Sequence, residues 1–262
     1  MKWLLCVASV LLISQNFVWE KNFVTTATDF TLDELGNIYF VQSSSIEKQN
    51  AAGPTTFRTS ELNYGNIENI DVTNPLKPFI YYRDLNKLVV LDNTLSQQGD
   101  AIDLFANGYG QVELVAGSRG DAYWLWDARN SELIRTDAAF NKLTSTGNLS
   151  VLIGKELHPV QLLERGNYIY LRDTLVGLLV FDVYGTYRTT MALQHSGDIQ
   201  VVSNTIMWND STTLHLLAAD WITEETITLP EKATGRATYF SQKLYLKCAD
   251  GVHVWRHDEK KN

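Results

Sequence analysis

A short β-rich run, an aspartate, a second β-rich run and a second aspartate recur along this chain of 262 residues. The clearest copy is Phe79–Asp84 followed by Lys87–Asp92, and four further copies begin at Ala122, Tyr168, Thr205 and Leu244. The first aspartates of successive copies are 43, 46, 37 and 40 residues apart. A fixed period of this length with strand-like content indicates stacked copies of one small β unit.

An earlier, degenerate copy brings the number of units to six. Gly36–Gln42 has the first strand, but Ser43 stands where the other copies have aspartate. Tyr39 precedes Tyr82 of the next copy by 43 residues, in phase with the rest. Units of about 41 residues match the four-stranded blade of a β-propeller. The sequence therefore predicts an all-β fold, a six-bladed β-propeller of four-stranded antiparallel blades.

The repeated aspartates have a local explanation. An aspartate carboxylate in a tight turn accepts hydrogen bonds from backbone N–H groups a few residues on, and so closes the turn between two strands. No segment alternates carboxylates as a calcium-binding loop does. Turn formation is therefore predicted for these aspartates over calcium binding.

Further strands flank the hairpins, for example Gln111–Ala116 before the third and Thr186–Met191 after the fourth. The last unit ends in the charged tail Glu259–Asn262 without a fourth strand. Asn16–Val24 is apolar, β-prone and outside the first unit. We therefore expect this N-terminal segment to complete the last blade, which closes the ring and covers a sheet edge.

The first 14 residues have the form of a secretory signal peptide. Lys2 precedes an apolar stretch from Trp3 to Ile13, which is too short to span a bilayer, and polar residues follow. A single domain from 15 to 262 and a periplasmic or secreted location are expected; a buried strand or a retained anchor is the alternative. Cys248 then remains as the one cysteine, without a disulfide partner, and a buried inert thiol is favoured there over a nucleophile or metal ligand.

The charge balance limits the partners. With 22 Lys and Arg against 30 Asp and Glu, the net charge is −8. Nucleic acid and anionic membranes both require clustered positive charge. We therefore expect protein partners, no nucleic acid, and no membrane insertion after signal removal.

A search for catalytic and cofactor motifs finds none. Gly117–Gly120 falls one residue short of a nucleophile elbow and lies in a turn between strands. His253 and His257 are about 13 Å apart on one predicted strand, too far to share a metal. No catalytic residue, metal or cofactor is therefore predicted. Glu34, Glu68 and Glu113 are candidate channel carboxylates if the chain is an enzyme.

One face of the predicted propeller is a candidate binding surface, because the turns between second and third strands emerge together on it. Arginine and tryptophan are common anchors of protein interfaces. In the alternative interpretation, Trp126 is half-buried between blades and the Arg–Asp pairs are ordinary turn charges. The predicted binding residues are Arg83, Asp84, Trp126, Asp127, Arg172, Asp173, Asn209 and Asp210.

The repeats resemble the six-bladed β-propeller superfamily, in the broad sense that includes TolB-like, NHL and YWTD-type repeats. Tyr123–Asp127 has the aromatic start and final aspartate of a YWTD repeat but no threonine. The resemblance implies an exported scaffold, a sugar or peptide binder, or a lactonase or hydrolase. In size and layout this chain resembles small exported propellers of bacterial envelope and secretion complexes, which favours a non-enzymatic, protein-binding subunit. A channel site for catalysis or for a sugar or peptide is the alternative.

Overall fold

A computed structural model describes residues 11–12, 17–51, 55–60, 62–193 and 197–258. Most of the predicted signal segment and the charged C-terminal tail lie outside these residues. The chain divides into two compact units: unit 1 is Met1–Thr26 with His195–Asn262, and unit 2 is Ala27–Gln194.

The strands follow one another in chain order. Unit 1 supplies the first two strands, β1 (Leu11–Leu12) and β2 (Phe17–Val24). Unit 2 then forms four antiparallel sheets of four consecutive strands each. Sheet 1 contains β3 (Asp29–Leu32), β4 (Ile38–Val41), β5 (Ser45–Gln49) and β6 (Thr56–Ser60). Sheet 2 contains β7 (Asn69–Asp71), β8 (Phe79–Tyr82), β9 (Lys87–Val90) and β10 (Ile102–Asp103). Sheet 3 contains β11 (Val112–Ser118), β12 (Ala122–Asp127), β13 (Glu132–Thr136) and β14 (Lys142–Ser145). Sheet 4 contains β15 (Pro159–Arg165), β16 (Tyr168–Asp173), β17 (Gly177–Asp182) and β18 (Tyr187–Met191).

Unit 1 holds the two remaining sheets. Sheet 5 contains β19 (Gln200–Val202), β20 (Thr205–Asn209), β21 (Thr213–Leu217) and β22 (Glu224–Thr228), and β1 pairs in parallel with β22. Sheet 6 contains β23 (Ala237–Phe240), β24 (Lys243–Cys248) and β25 (Gly251–His257), with β2 as its fourth strand.

The predicted fold class, a six-bladed β-propeller of four-stranded antiparallel blades, is confirmed by these six sheets. The prediction that the N-terminal segment completes the last blade is confirmed as well. The N-terminal β2 pairs antiparallel with β25, with Phe17 opposite His257 and Val24 opposite Gly251. A segment from the start of the chain thus occupies the edge of the last sheet.

The helices within the described residues are short. One α-helix, α1 (Leu149–Ile153), begins after Asn148, whose side chain accepts a hydrogen bond from the Val151 N–H. Two 3-10 turns lie at Leu62–Tyr64 and Arg83–Leu85. No helix in the described part of the chain is long and apolar enough to cross a membrane.

The core lies between neighbouring sheets, because the central strands are buried on both faces. In β12, Tyr123 and Leu125 pack toward sheet 2, while Trp124 and Trp126 pack toward sheet 4. Equivalent clusters join sheets 1 and 2 in unit 2, and sheets 5 and 6 in unit 1. Strands buried on both faces explain the nearly continuous apolar runs of the repeat.

Each four-stranded sheet has turns at two opposite ends of its strands. The turn between its second and third strands lies where its first strand begins and its fourth ends, and we call this the first edge. The other two turns form the second edge. In unit 2, Tyr81 Oη near the end of β8 donates to Val112 O at the start of β11, over 2.8 Å. The first edges of sheets 2 and 3 therefore adjoin.

Hydrogen bonds at the turns confirm the predicted role of the repeated aspartates. Asp137 accepts the N–H groups of Ala139 and Asn141 at 2.9 and 2.8 Å, and the Asn141 side chain at 2.9 Å. Related turns are closed in the same way by Asp33, Asp92, Asp182 and Asp220. Local carboxylate hydrogen bonds thus fix the turns after the first or third strands.

These turns predict a loss of stability in acid. The Asn141 side chain, followed by backbone N–H donors, lowers the pKa of Asp137 below 3.8. A lowered pKa in the folded state contributes stability that is present above the unfolded pKa and is lost as the pH falls through the folded one. We expect the melting temperature to fall below about pH 4, and Asp137→Asn, which keeps an acceptor oxygen, to weaken this dependence. An unchanged pH profile of melting in this variant would contradict the assignment.

Candidate functional site

The predicted binding residues lie at the ends of second strands or in the turns that follow them, but their exposure differs. Arg83 and Asp84 are exposed in the 3-10 turn between β8 and β9. The Arg83 guanidinium forms an ion pair of 3.2 Å with Glu68. Both residues are accessible to a partner, and their binding role stays a prediction.

Three predicted contact residues are buried instead. Trp126 is 1% exposed, and Arg172 and Asp173 are each 2% exposed. Trp126 belongs to the core between sheets 3 and 4, and Asp173 accepts the N–H groups of Leu175 and Val176 at 2.8 and 2.9 Å. The structure thus corrects their expected exposure: all three side chains are buried and support the edge from inside, while their binding role stays a prediction.

The other predicted residues are engaged within the protein. Asp127 accepts the N–H and side-chain amide of Asn130 at 3.1 and 2.8 Å. In unit 1, Asp210 accepts the N–H groups of Thr212 and Thr213, at 2.7 and 2.8 Å. Asn209 Oδ1 accepts the Ala237 N–H at 2.8 Å, which ties sheet 5 to sheet 6. Turn and sheet contacts thus account for these three side chains.

The first edge of unit 2 exposes apolar side chains that the repeat pattern did not single out. Leu175 and Leu85 lie in turns between second and third strands, and Phe105 follows β10. Leu175 is 79% exposed and Phe105 is 72% exposed. The exposed large apolar residues of this edge, called the apolar edge below, are Leu85, Phe105, Val151, Leu152, Val160 and Leu175.

The helix α1 belongs to this edge, because it is anchored to the turn between β12 and β13. The Leu149 N–H donates to Ser131 O at 2.8 Å, and the Asn148 side chain donates to Asn130 O at 2.9 Å. Leu149 is buried, whereas Val151 and Leu152 face solvent. Apolar positions on a short solvent-facing helix are the signal by which the sequence could have shown this surface.

The candidate channel carboxylates do not lie at one edge. Glu34 is exposed in the turn between β3 and β4, at the second edge. Glu68 and Glu113 lie near the first edge, where both raise the pKa of Tyr81, although burial is the largest cause of that shift. The structure therefore gives these three carboxylates no common site.

A different carboxylate forms a polar cluster at the second edge of unit 2. Glu164, at the end of β15 and 5% exposed, accepts Ser118 Oγ at 2.6 Å and Trp124 Nε1 at 2.8 Å. Arg119 donates its N–H and Nε to the same carboxylate at 3.2 and 3.4 Å. Arg135 Nε in turn donates to Ser118 Oγ at 3.1 Å. Ser118, from the sequence that falls short of a nucleophile elbow, thus donates to a buried carboxylate that also accepts hydrogen bonds from Trp124 and Arg119.

One group of side chains in unit 1 has ligand atoms close enough to hold a metal. A carboxylate oxygen of Glu231, Cys248 Sγ and a ring nitrogen of His253 lie within 4.8 Å of one another. Burial, followed by the Glu231 carboxylate, raises the pKa of the Cys248 thiol to about 12. The thiol is buried as predicted. The sequence did not predict that Glu231 and His253 lie beside it.

The comparisons with known proteins identify the fold alone. No family model matches, and no curated protein matches the sequence. A virginiamycin B lyase from Staphylococcus aureus aligns over 87% of this chain and 80% of its own, with a TM-score of 0.57 and 9% identity. A chain of a mitotic checkpoint complex aligns over 98% of both chains, with a TM-score of 0.61 and 10% identity. A chain of a nidogen/laminin complex aligns over 80% of this chain and 84% of its own, with a TM-score of 0.60 and 12% identity.

These similarities support the six-bladed β-propeller fold. The similar structures include an enzyme and chains of protein complexes. Because identities near 10% carry no residue-level correspondence, function has to be argued from the surface and side chains of this chain.

Proposed function

We propose that this protein is an exported, non-enzymatic β-propeller that docks a partner protein through the apolar edge of unit 2, as a scaffold subunit of a bacterial envelope or secretion complex. The observation that carries the proposal is the distribution of exposed apolar side chains. Within the described part of unit 2, six large ones lie on the first edge, against Leu35, Leu76, Leu143 and Tyr184 at the second. Apolar groups concentrated on one side of a soluble domain are typical of a protein-binding surface.

The support beneath this edge is rigid. Asp127 and Asp173 accept hydrogen bonds within its turns, Trp126 and Arg172 are buried beneath it, and α1 is hydrogen-bonded to the neighbouring turn. A preformed surface loses little conformational entropy on binding. The exposed Arg83 and Asp84 add charge beside Leu85, as expected at the polar rim of an interface.

The enzymatic alternative has weaker support. The carboxylate of Glu164 is buried and accepts four hydrogen bonds, so it holds its neighbours in place. Glu34 lies at the second edge, whereas Glu68 and Glu113 lie near the first, so the three carboxylates do not converge. Export rests on the N-terminal sequence and is part of the proposal.

Affinity capture of the tagged protein from its native envelope fraction tests the proposal. We expect a stoichiometric partner that is lost from the triple variant Leu85→Ser, Phe105→Ser, Leu175→Ser. Because central apolar residues dominate interface energies, recovery of the partner should fall about tenfold or more.

The matched control carries three substitutions of exposed apolar residues on the second edge, Leu35→Ser, Leu76→Ser and Tyr184→Ser. This control should retain the partner. Equal loss in both triple variants, or a protein that remains in the cytoplasmic fraction, would contradict the proposal.

A further inference from the structure

We propose that Glu231, Cys248 and His253 form a binding site for a divalent transition metal, with Zn²⁺ as the best-matched ion. All three residues belong to unit 1. Cys248 ends β24, His253 lies in β25, and Glu231 follows β22. The turn from Cys248 to Gly251 brings the thiol and the imidazole together, and the segment after β22 places the carboxylate beside them.

The donor set and its spacing fit this ion. Thiolate, imidazole and carboxylate are the side chains that bind Zn²⁺, and three protein ligands with an open fourth position are typical of its exchangeable sites. The donor atoms lie within 4.8 Å of one another, and His253 Nδ1 is 2.5 Å from Glu231 Oε1. An ion between them would replace this direct contact with two metal bonds.

The surroundings orient the donors as the outer shell of a metal site does. His253 Nε2 lies 2.9 Å from Asp250 Oδ1, so Asp250 can accept the Nε2 proton while Nδ1, on the Glu231 side of the ring, bonds to a metal. Carboxylate–histidine–metal arrangements of this kind fix the imidazole tautomer. Trp255 Nε1 donates to Glu231 Oε1 at 3.1 Å, and the Trp19 ring packs edge-on against His253 with centroids 5.1 Å apart.

Burial favours a defined site with a route to solvent. Cys248 is 5% and His253 8% exposed, whereas Glu231 is partly exposed. Binding removes the proton from Cys248 Sγ, which leaves to solvent as the sulfur bonds to the metal. The metal also displaces the proton shared between His253 Nδ1 and Glu231 Oε1, which leaves to solvent, so that Nδ1 and the carboxylate oxygen become ligands.

The test is a titration of untagged, metal-free protein with Zn²⁺ alone, followed by Co²⁺ substitution. We expect one equivalent of Zn²⁺ to bind tightly, and the Co²⁺ form to show the ultraviolet charge-transfer absorption of a thiolate–metal bond. Cys248→Ala should abolish that absorption and stoichiometric binding. Asp250→Asn, at an exposed position, should weaken Zn²⁺ binding by about 10–100-fold. This variant keeps the test decisive if Cys248→Ala does not fold.

A second histidine in unit 1 provides the matched control. His215 Nδ1 lies 2.8 Å from Glu224 Oε1, a histidine–carboxylate contact like that of the proposed site. Among the described residues, no third ligand completes a metal-binding group with this pair. His215→Asn should leave Zn²⁺ binding unchanged. Binding of less than one equivalent, a Co²⁺ form without thiolate absorption, or equal affinity in the wild type and Asp250→Asn would overturn the proposal.

Discussion

Replacing Gly251 with alanine is expected to lower the free energy of unfolding by about 2–4 kcal/mol. Gly251 begins β25 opposite Val24 of β2 and has a φ of +156°. A Cβ there would lie 2.1 Å from Phe23 O and 3.0 Å from Phe23 C. These atoms are backbone of the adjacent strand, so the clash is relieved only by separating β2 from β25. Chemical denaturation measures the loss, and hydrogen exchange should show faster exchange in residues 17–24.

Gly120→Ala is the matched control. Gly120 has a φ of +72°, and a Cβ built there meets nothing within 4 Å. The control therefore isolates the cost of the backbone conformation, about 1 kcal/mol. An equal loss of stability in both variants, or undisturbed exchange in residues 17–24, would show that β2 does not depend on close approach at Gly251.

Replacing Glu164 with leucine is expected to cost about 3–5 kcal/mol of stability, as when one partner of a buried charged network is removed. Its carboxylate satisfies Ser118 Oγ, Trp124 Nε1 and two groups of Arg119. Leucine leaves the buried Trp124 Nε1 and the partly buried donors of Ser118 and Arg119 without this acceptor. Thermal and urea unfolding measure the cost.

Two further variants distinguish the loss of the hydrogen-bond network from the loss of a negative charge. Glu164→Gln keeps an acceptor oxygen and should recover part of the lost stability. Glu113→Leu removes an exposed carboxylate from β11 and should change stability by about 0.5 kcal/mol or less. If Glu164→Leu were no more damaging than Glu113→Leu, the second-edge cluster would not stabilise unit 2.

The architecture was predictable because it is repeated. Apolar runs, turn aspartates and a period of about 40 residues each report the same four-stranded sheet. The position of β2 was predictable for another reason: the last unit lacked a strand and the N-terminal segment was an unpaired apolar one. Each inference rests on local composition, and side-chain hydrogen bonds at Asp137 and its equivalents confirm the turn chemistry.

The exposure of the edge residues was not predictable in the same way. The strand β12 extends through Asp127, so Trp126 lies on the same face as Trp124 and packs toward sheet 4. A pattern that locates a turn does not specify which side chain beside it is covered by the next sheet. The exposed residues of α1 arise from an insertion between sheets that the repeat does not describe.

The polar clusters depend on contacts between strands distant in sequence. Ser118 and Glu164 are 46 residues apart, about one repeat, so their contact reflects equivalent positions in β11 and β15, the first strands of sheets 3 and 4. Glu231, Cys248 and His253 come from a loop and two strands, at spacings without a local motif. Only the fold shows that their donor atoms meet.

Docking of a partner protein on the apolar edge of unit 2 can be measured by hydrogen exchange of the captured complex against the free protein. We expect new protection in residues 83–86, 104–110, 149–154 and 174–176, with no change in the second-edge turns at 33–37, 72–77 and 182–186. Protection confined to the second-edge turns, or absent from the apolar edge, would contradict the claim.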